Sequence, residues 1–347
     1  MPREKPIVLV TGVAGRIGSK VARIFAPFAH VVGLDICHCE GESDFIPLDL
    51  SSDESVKKAL DEVSARYGRK IASVIHLAAY YNFAGGMWER YEAITIEGTR
   101  RLLNQLQNFE VEQFLFASTL LVYAPTRPGD KIVEDSPIDA NWEYPLSKIK
   151  TEALIREMGS NMQTTVLRIA GVYDDYCHSI PISQHIMRIY HKELESHFFP
   201  GDSKRGAPFL HMDDLVDAIQ RSYEKRAGLP RHALIVLGEE KTLSFQDLQT
   251  EIGLLLHGTP WKTIRIPKWF AKMGAQLREK MPFLKKSFIK PWMVPLADMH
   301  HELDTSYAKE LLGWEPCHSL GETLPKMVDA LRQSPEEWLH THRLHEK

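Results

Sequence analysis

IVLVTGVAGRIG, residues 7–18, is the stretch whose reading decides the fold. IVLV is a β-branched apolar run of the kind a buried strand requires. Gly12, Gly15 and Gly18 follow at once, and SKVARIFAPF then repeats apolar residues at helical spacing. A strand that turns on glycines into a helix brings backbone close to a bound group. It also aims free N–H groups and partial positive charge at that group, a cradle for a pyrophosphate. Gly12, Gly15, Arg16, Ile17 and Gly18 are therefore expected to line a dinucleotide. Glycines serving helix–strand packing alone are the plainer alternative.

Outward from this stretch, strand and helix alternate. HVVGLDI (30–36), ASVIHLAA (72–79), VEQFLFAST (111–119) and NMQTTVLRIAGVY (161–173) read as further buried strands. SSDESVKKALDEVSARYG (51–68) opens on Ser/Asp caps and ends on Gly68, as an amphipathic helix does. WERYEAITIEGTRRLLNQLQ (88–107) also has helical periodicity. This order predicts an α/β fold, a doubly wound parallel sheet with ligands beyond the carboxyl ends of its strands. Asp35, closing the second strand, is placed to accept hydrogen bonds from adenosine ribose hydroxyls and to repel a 2′-phosphate. That favours NAD over NADP, although Arg16 beside the glycines offers a guanidinium to a phosphate. Asp49, with Leu50 in IPLDL, is expected near the adenine, or else as a helix-cap aspartate.

Bulk composition narrows the classes. The 347 residues carry a formal net charge of -4 and a pI near 6.5, with 44% hydrophobic and 25% charged residues. No basic domain marks a nucleic-acid binder. No run reaches the roughly 18 apolar residues of a membrane span, and MPREKPIVLV lacks the apolar core of a signal peptide. The four cysteines form neither a disulfide framework nor a zinc-type pair. Cys37-His38-Cys39 has no second ligand pair, so free thiols in a cytoplasm and no metal are expected. HSI (178–180), MHHE (299–302) and HTHRLHE (340–346) read as surface or packing histidines.

YPLSK (144–148) places Tyr144 and Lys148 at i and i+4, one face of a helix whose first turn suits Pro145. Alone, that spacing is common. Together with TGVAGRIG, LDI, PLDL, HLAA (76–79), FASTLLVYA (116–124), LRIAGVYD (167–174), FLHMDDLVDAI (209–219) and LLGWEP (311–316), it resembles the extended short-chain dehydrogenase/reductase family, also called the NAD-dependent epimerase/dehydratase family. The resemblance covers nearly the whole chain, in the family's order. It implies a Rossmann-type sheet over 1–174, rejoined by about 209–238, and a smaller, mostly helical C-terminal substrate-binding domain from 175–208 and 239–347.

It also implies a catalytic Thr119, Tyr144 and Lys148. Tyr144 would be the acid–base, its pKa lowered by the Lys148 ammonium and a positive nicotinamide ring. Lys148 would also hold the nicotinamide ribose, and Thr119 would orient the substrate oxygen. His76 is expected to support its strand, while Leu77, Ala78 and Ala79 line the cofactor. Tyr80, Tyr81, Asn82 and Phe83 would follow over nicotinamide or substrate, or simply pack. A homodimer through helices at about 88–107 and 144–158 is implied by analogy.

Several positions depart from the family's subclasses. Leu120 and Leu121 stand where dehydratases carry Asp-Glu, which argues against 4,6-dehydration. Gly171 and Ala207 stand where nucleotide-sugar epimerases have Asn and Arg, and Arg205 is the nearest guanidinium. Thr95 replaces the usual Asn of N-x-x-G-T. The expectation is an NAD-dependent oxidoreductase acting at a secondary alcohol or ketone of a small substrate, with carbohydrates among the candidates. A sugar-nucleotide epimerase with tightly bound NAD and a non-catalytic dinucleotide-sensing protein are the alternatives. The basic segment 261–292 is expected to be a lid helix with a solvated basic face, ahead of contact with a membrane surface or attraction of an anionic substrate.

Overall fold

In a computed structural model of the chain, residues 5–38, 44–82, 85–159, 161–279 and 289–342 are described. Cys39, Phe83, Pro282 and the last residues of HTHRLHE lie outside them. Seven parallel strands form the central sheet: β1 (Ile7–Thr11), β2 (His30–Asp35), β3 (Phe45–Pro47), β4 (Ser73–His76), β5 (Gln113–Thr119), β6 (Gln163–Ile169) and β7 (His232–Leu237). Their order is β7-β6-β5-β4-β1-β2-β3. The chain winds outward in both directions from β1, so the crevice for a ligand opens between β1 and β4. The short run at 45–47, just before Asp49, is the edge strand of this sheet. The third expected strand is shorter than 72–79, because pairing with β1 ends at His76 and leaves 77–79 beyond the edge.

Helices α1 (Arg16–Phe25), α2 (Asp53–Tyr67), α3 (Glu97–Leu106) and α4 (Glu143–Met158) belong to the winding. Local chemistry sets their ends. Ser52 accepts the Ser55 N–H at the start of α2, where Asp53 and Glu54 complement the helix dipole. The helical stretch at 88–107 is broken: Tyr91–Ile96 is a π-helix leading into α3. One wider turn there directs both Tyr91 and Thr95 inward, and both are buried.

Two apolar cores lie against the sheet. One contains Val8, Val10, Ile75, Leu115 and Leu167, with Val21 and Phe25 of α1. The other contains Leu9, Leu34, Val74 and Phe114, with Leu60 of α2, Leu103 of α3 and Leu154 of α4. A third core lies among helices α5 (Ile180–Tyr190), α7 (Phe245–His257), α10 (Leu320–Gln333) and α11 (Pro335–His342). Helix α6 (Met212–Glu224) packs beside α1. Leu303, Ala308 and Leu312, the last two on α9 (Ser306–Leu312), join Trp314 in the first core, so this part of the second half returns to the sheet. Trp314 is fully buried, and its Nε1–H donates to the Asp214 carbonyl oxygen at 3.0 Å.

Helix α8 (Lys268–Glu279) differs from its expected form. Its apolar face does not turn inward: Trp269, Phe270, Met273 and Leu277 are all exposed. The histidine stretches are not without acidic partners either. His178 bonds Asp174 at 2.6 Å and His300 bonds Glu302 at 2.9 Å. His300 and His301 are buried packing residues.

Candidate active site

At the carboxyl edge of β1, Gly12 adopts φ +75° and lies against the chain leaving β4. A Cβ there would sit 2.8 Å from the Ala78 nitrogen. At Gly18 a Cβ would sit 2.1 Å from the Gly12 carbonyl oxygen. Only glycine closes the turn this tightly at both positions. Gly15 caps α1 without a side-chain bond, which leaves N–H groups directed beyond the helix end. Asp35 ends β2 beside the turn. Its two carboxylate oxygens accept from the Ala14 N–H (3.0 Å) and the Ile36 N–H (2.7 Å). Glycine cradle and carboxylate together fit the phosphates and ribose of a dinucleotide.

The neighbouring residues are less uniform. Arg16 is exposed at the first turn of α1 and feels the charge of Asp174, while Ile17 packs on the first core. Asp49 is exposed, and one carboxylate oxygen accepts from both the Ser51 N–H (2.8 Å) and the Ser51 hydroxyl (2.7 Å), which holds its pKa down. Leu50 is buried in the second core, and its Cβ lies 2.8 Å from where a Cβ on Gly98 would be. Leu77, Ala78 and Ala79 are half-buried beyond β4. Beneath them His76 is buried, with Nδ1 at 2.7 Å from Thr11 Oγ1 and Nε2 at 2.9 Å from Thr99 Oγ1. Burial, and then the Lys148 charge, lower its pKa to about 3. A neutral imidazole locked between two hydroxyls ties strand to helix. The Thr95 hydroxyl accepts the Tyr80 N–H at 3.0 Å, so this residue positions the chain entering the aromatic stretch.

The end of β5 and the start of α4 bring Thr119, Tyr144 and Lys148 together. The Thr119 hydroxyl lies close enough to the Tyr144 phenol to pull its pKa down. Thr119 Oγ1 also accepts the Leu121 N–H at 3.3 Å, which leaves the threonine proton for the phenol. Lys148 is buried, and its Nζ donates to the Ala117 carbonyl oxygen at 2.7 Å. That Nζ lies 4.7 Å from the centre of the Phe116 ring and 5.8 Å from that of Tyr144.

Here the electrostatics depart from expectation. Burial raises the Tyr144 pKa to about 12, and Thr119 opposes it only in part. Burial likewise lowers Lys148 to about 8, with Glu152 pulling the other way. The ammonium is committed to a carbonyl rather than to the phenol, so burial outweighs Thr119 and the net shift at Tyr144 is upward. The site favours the neutral phenol.

Around Tyr144 stands an aromatic wall. Ring centres of Tyr81, Trp142 and Tyr91 lie 5.0, 5.7 and 6.4 Å from it, and Trp292 lies 5.4 Å from Trp142. Asn82 bonds within this group: its carbonyl oxygen accepts the Tyr91 hydroxyl at 3.2 Å. Arg205 is part of a different cluster. Its Nη1 donates to the Asp298 carbonyl oxygen at 3.4 Å, and its Nε is buried without a partner among the described residues.

A family model for the NAD dependent epimerase/dehydratase family matches residues 8–238. The chain belongs to that family. A UDP-glucuronate 4-epimerase of Thermodesulfobacterium geofontis is 26% identical over 94% of this chain and 97% of its own length. Among solved structures, a short-chain dehydrogenase/reductase superfamily protein of Agrobacterium tumefaciens with bound NAD superposes with TM-score 0.72. It is 21% identical, with 97% of this chain and 100% of that one covered. The UDP-glucuronic acid 4-epimerase of Bacillus cereus, in complex with UDP-glucuronic acid and NAD, gives TM-score 0.70 at 21% identity, covering 94% and 99%.

Within this family member, reasoning from sequence missed the support under the trio. Glu152, one turn beyond Lys148, receives Arg168 Nη2 at 2.7 Å and Nε at 3.2 Å, and accepts the Ser118 hydroxyl. Glu152 and Arg168 form a buried ion pair that links α4 to β6. The i, i+4 spacing of Lys148 and Glu152, and a lone arginine inside a buried strand, were the available signals. Tyr91 was missed as well, because its packing on Tyr144 joins segments far apart in sequence, and so was Trp142, two residues before Tyr144. His211, Asp213 and His318 approach within 4.8 Å of one another. Lys20 already pairs with Asp213, and His211 Nδ1 accepts the Asp213 N–H as a helix cap.

Proposed function

We propose that this family member is an NAD-dependent oxidoreductase that moves a proton through Tyr144 at a secondary alcohol or ketone. When bound, NAD supplies the hydride acceptor or donor. Gly12, Gly15 and Gly18 would hold its phosphates, Asp35 its adenosine ribose, and Lys148 its nicotinamide ribose. Arg16, Asp49, Leu50 and Leu77–Ala79 complete the proposed contact set. The single observation that carries the reading is the Thr119–Tyr144 contact with Lys148 one helical turn away, at the crevice opened by the strand order.

In the reducing direction Tyr144 Oη gives its proton to the carbonyl oxygen of the substrate while Thr119 donates a second hydrogen bond to that oxygen. A phenol held near pKa 12 is in the right form for this at neutral pH. In the oxidising direction Oη must first be a phenolate. That requires positive charge nearer the oxygen than Lys148 brings, so this direction depends on the cofactor binding first. Tyr81 and Asn82 flank the substrate position, and Arg205 is placed to meet a more distant anionic group.

Replacing Tyr144 by Phe tests the reading. Turnover should fall roughly 10²–10⁴-fold, with dinucleotide affinity nearly unchanged. Retained turnover sinks the acid–base role, and a function independent of Tyr144 points to a non-catalytic dinucleotide sensor. A second reading, sugar-nucleotide epimerisation, is favoured by the UDP-glucuronate 4-epimerase relative. Denaturing the purified protein separates the two: an epimerase retains nicotinamide through purification and releases it then, whereas a dehydrogenase exchanges it. The reading includes a cytoplasmic homodimer packed through 88–107 and 144–158, to be checked by sedimentation.

A further inference from the structure

Helix α8 is packed with its apolar side outward. At 100° per residue, Trp269, Phe270, Met273 and Leu277 share one face. Their exposures are 69, 49, 52 and 57%. Ala271 and Ala275, on the other side, are half-buried. The large apolar residues therefore meet water while two alanines take the protein side, the reverse of a helix stabilised by a core. The apolar surface extends beyond the helix. Arg278 pairs with Glu195, next to Leu194, which is 74% exposed, and Ile264 on the preceding strand is 41% exposed.

Charge identifies what fits this face. Residues 261–292 hold nine of the chain's 42 Lys/Arg and one of its 46 Asp/Glu, which leaves the remainder with a net charge of -12. Arg265, Lys268 and Arg278 are paired with Asp202, Asp298 and Glu195. Lys262 and Lys272 are exposed and make no ion pair among the described residues. A second copy docked face to face would set two such basic segments against each other. A specific protein partner would want roughly one hydrogen bond per 100–200 Å², and of the four apolar side chains only Trp269 has an N–H to offer. Four exposed apolar side chains on a surface helix, with Lys272 on the same helix and Lys262 before it, fit the headgroup boundary of an anionic bilayer.

We propose that α8 docks the protein onto anionic membrane, with Trp269, Phe270, Met273 and Leu277 inserted and Lys262 and Lys272 on the headgroups. The segment ends at Trp292, whose ring stands beside Trp142 in the wall around Tyr144.

The test is flotation of the full chain with phosphatidylcholine vesicles, alone or with about one-third phosphatidylserine, at about 0.1 M salt. Binding to the anionic vesicles should exceed binding to the neutral ones roughly tenfold. The double variant Trp269→Ser/Leu277→Ser and the variant Lys272→Glu should each lose roughly tenfold of it. The control Lys57→Glu/Lys58→Glu, on exposed positions of α2, should not. All three should unfold at the wild-type temperature. No binding to either vesicle, equal loss in the control, or a change of oligomeric state in the Trp269/Leu277 variant each overturns the proposal. So does capture by an acidic polypeptide that survives the loss of Trp269 and Leu277. Tyr144-dependent turnover in vesicle-free solution is measured separately and does not bear on the result.

Discussion

Helices α4 and α8 break the burial rule in opposite senses. On α4 a lysine is 4% exposed, while on α8 a tryptophan is 69% exposed. Each arrangement costs free energy in water, yet the compensation differs. Lys148 sits on a carbonyl oxygen and an aromatic face, with Glu152 one turn away and Arg168 behind it. Everything that offsets its burial is inside the fold. Beyond its neighbour Phe270, 5.8 Å away ring to ring, Trp269 has no such partner among the described residues, so what offsets its exposure is sought outside. The comparison teaches where to expect stability effects: large around α4, near zero at α8.

The largest effect should follow breaking the buried pair. Glu152→Gln leaves the Arg168 guanidinium uncompensated between α4 and β6, and removing one partner of a buried pair costs about 3–5 kcal/mol. Denaturant titration measures it. The same change removes the carboxylate that raises the Lys148 pKa, so the ammonium is lost below about 8. A rate that falls with rising pH as Lys148 deprotonates should then fall at lower pH than in the wild type. An unchanged unfolding midpoint would mean that α4 does not depend on its interior charges.

Gly18→Ala comes next. Its Cβ would meet the Gly12 carbonyl 2.1 Å away, and backbone cannot yield as a side chain does. A loss of about 1–3 kcal/mol is expected, together with weakened dinucleotide binding read by titration calorimetry. Preserved affinity would show that the turn has room the geometry denies.

Acid should act on the histidines held neutral inside the fold. His76 and His185 titrate at about 3 and His301 at about 4, all lowered by burial. The unfolded chain takes up these protons from about pH 6.5 downward and the native state does not, so stability falls as pH drops from about 6.5 toward 3. Each proton refused costs on the order of 1 kcal/mol per pH unit. Glu239, raised by burial to about 7, works against this between about 7 and 4.5, because there the native state holds the extra proton. Three rings refuse a proton and one carboxyl takes one, so the decline should be about a third less steep above pH 4.5 than just below it. A midpoint that is flat from 6.5 to 4 would contradict the burial of these rings.

Much of the α4 side was legible in sequence. The strand–glycine–helix opening, Asp35 at the end of β2 and the Tyr144/Lys148 spacing are all local patterns, and the fold places them at one sheet edge. Edge strand β3 was harder, since three residues carry almost no period. The Glu152–Arg168–Ser118 support and the wall of Tyr81, Tyr91, Trp142 and Trp292 join segments separated by tens of residues, and local spacing has no signal for that. The share of Lys148 in the Tyr144 shift was misread for a related reason. Proximity of lysine to tyrosine in sequence says nothing about the Ala117 carbonyl that engages the ammonium. Helix α8 shows the converse: its amphipathic period was visible, but which face turns toward the protein depends on what else packs there.

The smallest effect is the one that separates the two helices. Trp269→Ser and Leu277→Ser remove side chains that are more than half exposed, so little buried area is lost. Substitutions at such positions usually fall within about 0.5 kcal/mol. Trp269 could even be slightly destabilising as it stands, because an exposed indole gains as much from collapse in the unfolded chain as from the native surface. Thermal unfolding without lipid should therefore leave both variants at the wild-type midpoint. Adding anionic vesicles should then raise the wild-type midpoint and not that of the variants, since a surface that binds only the native state stabilises it by mass action. A large loss without lipid would mean that Trp269 is structural, and the contrast with Lys148 would collapse into two helices that each serve the interior.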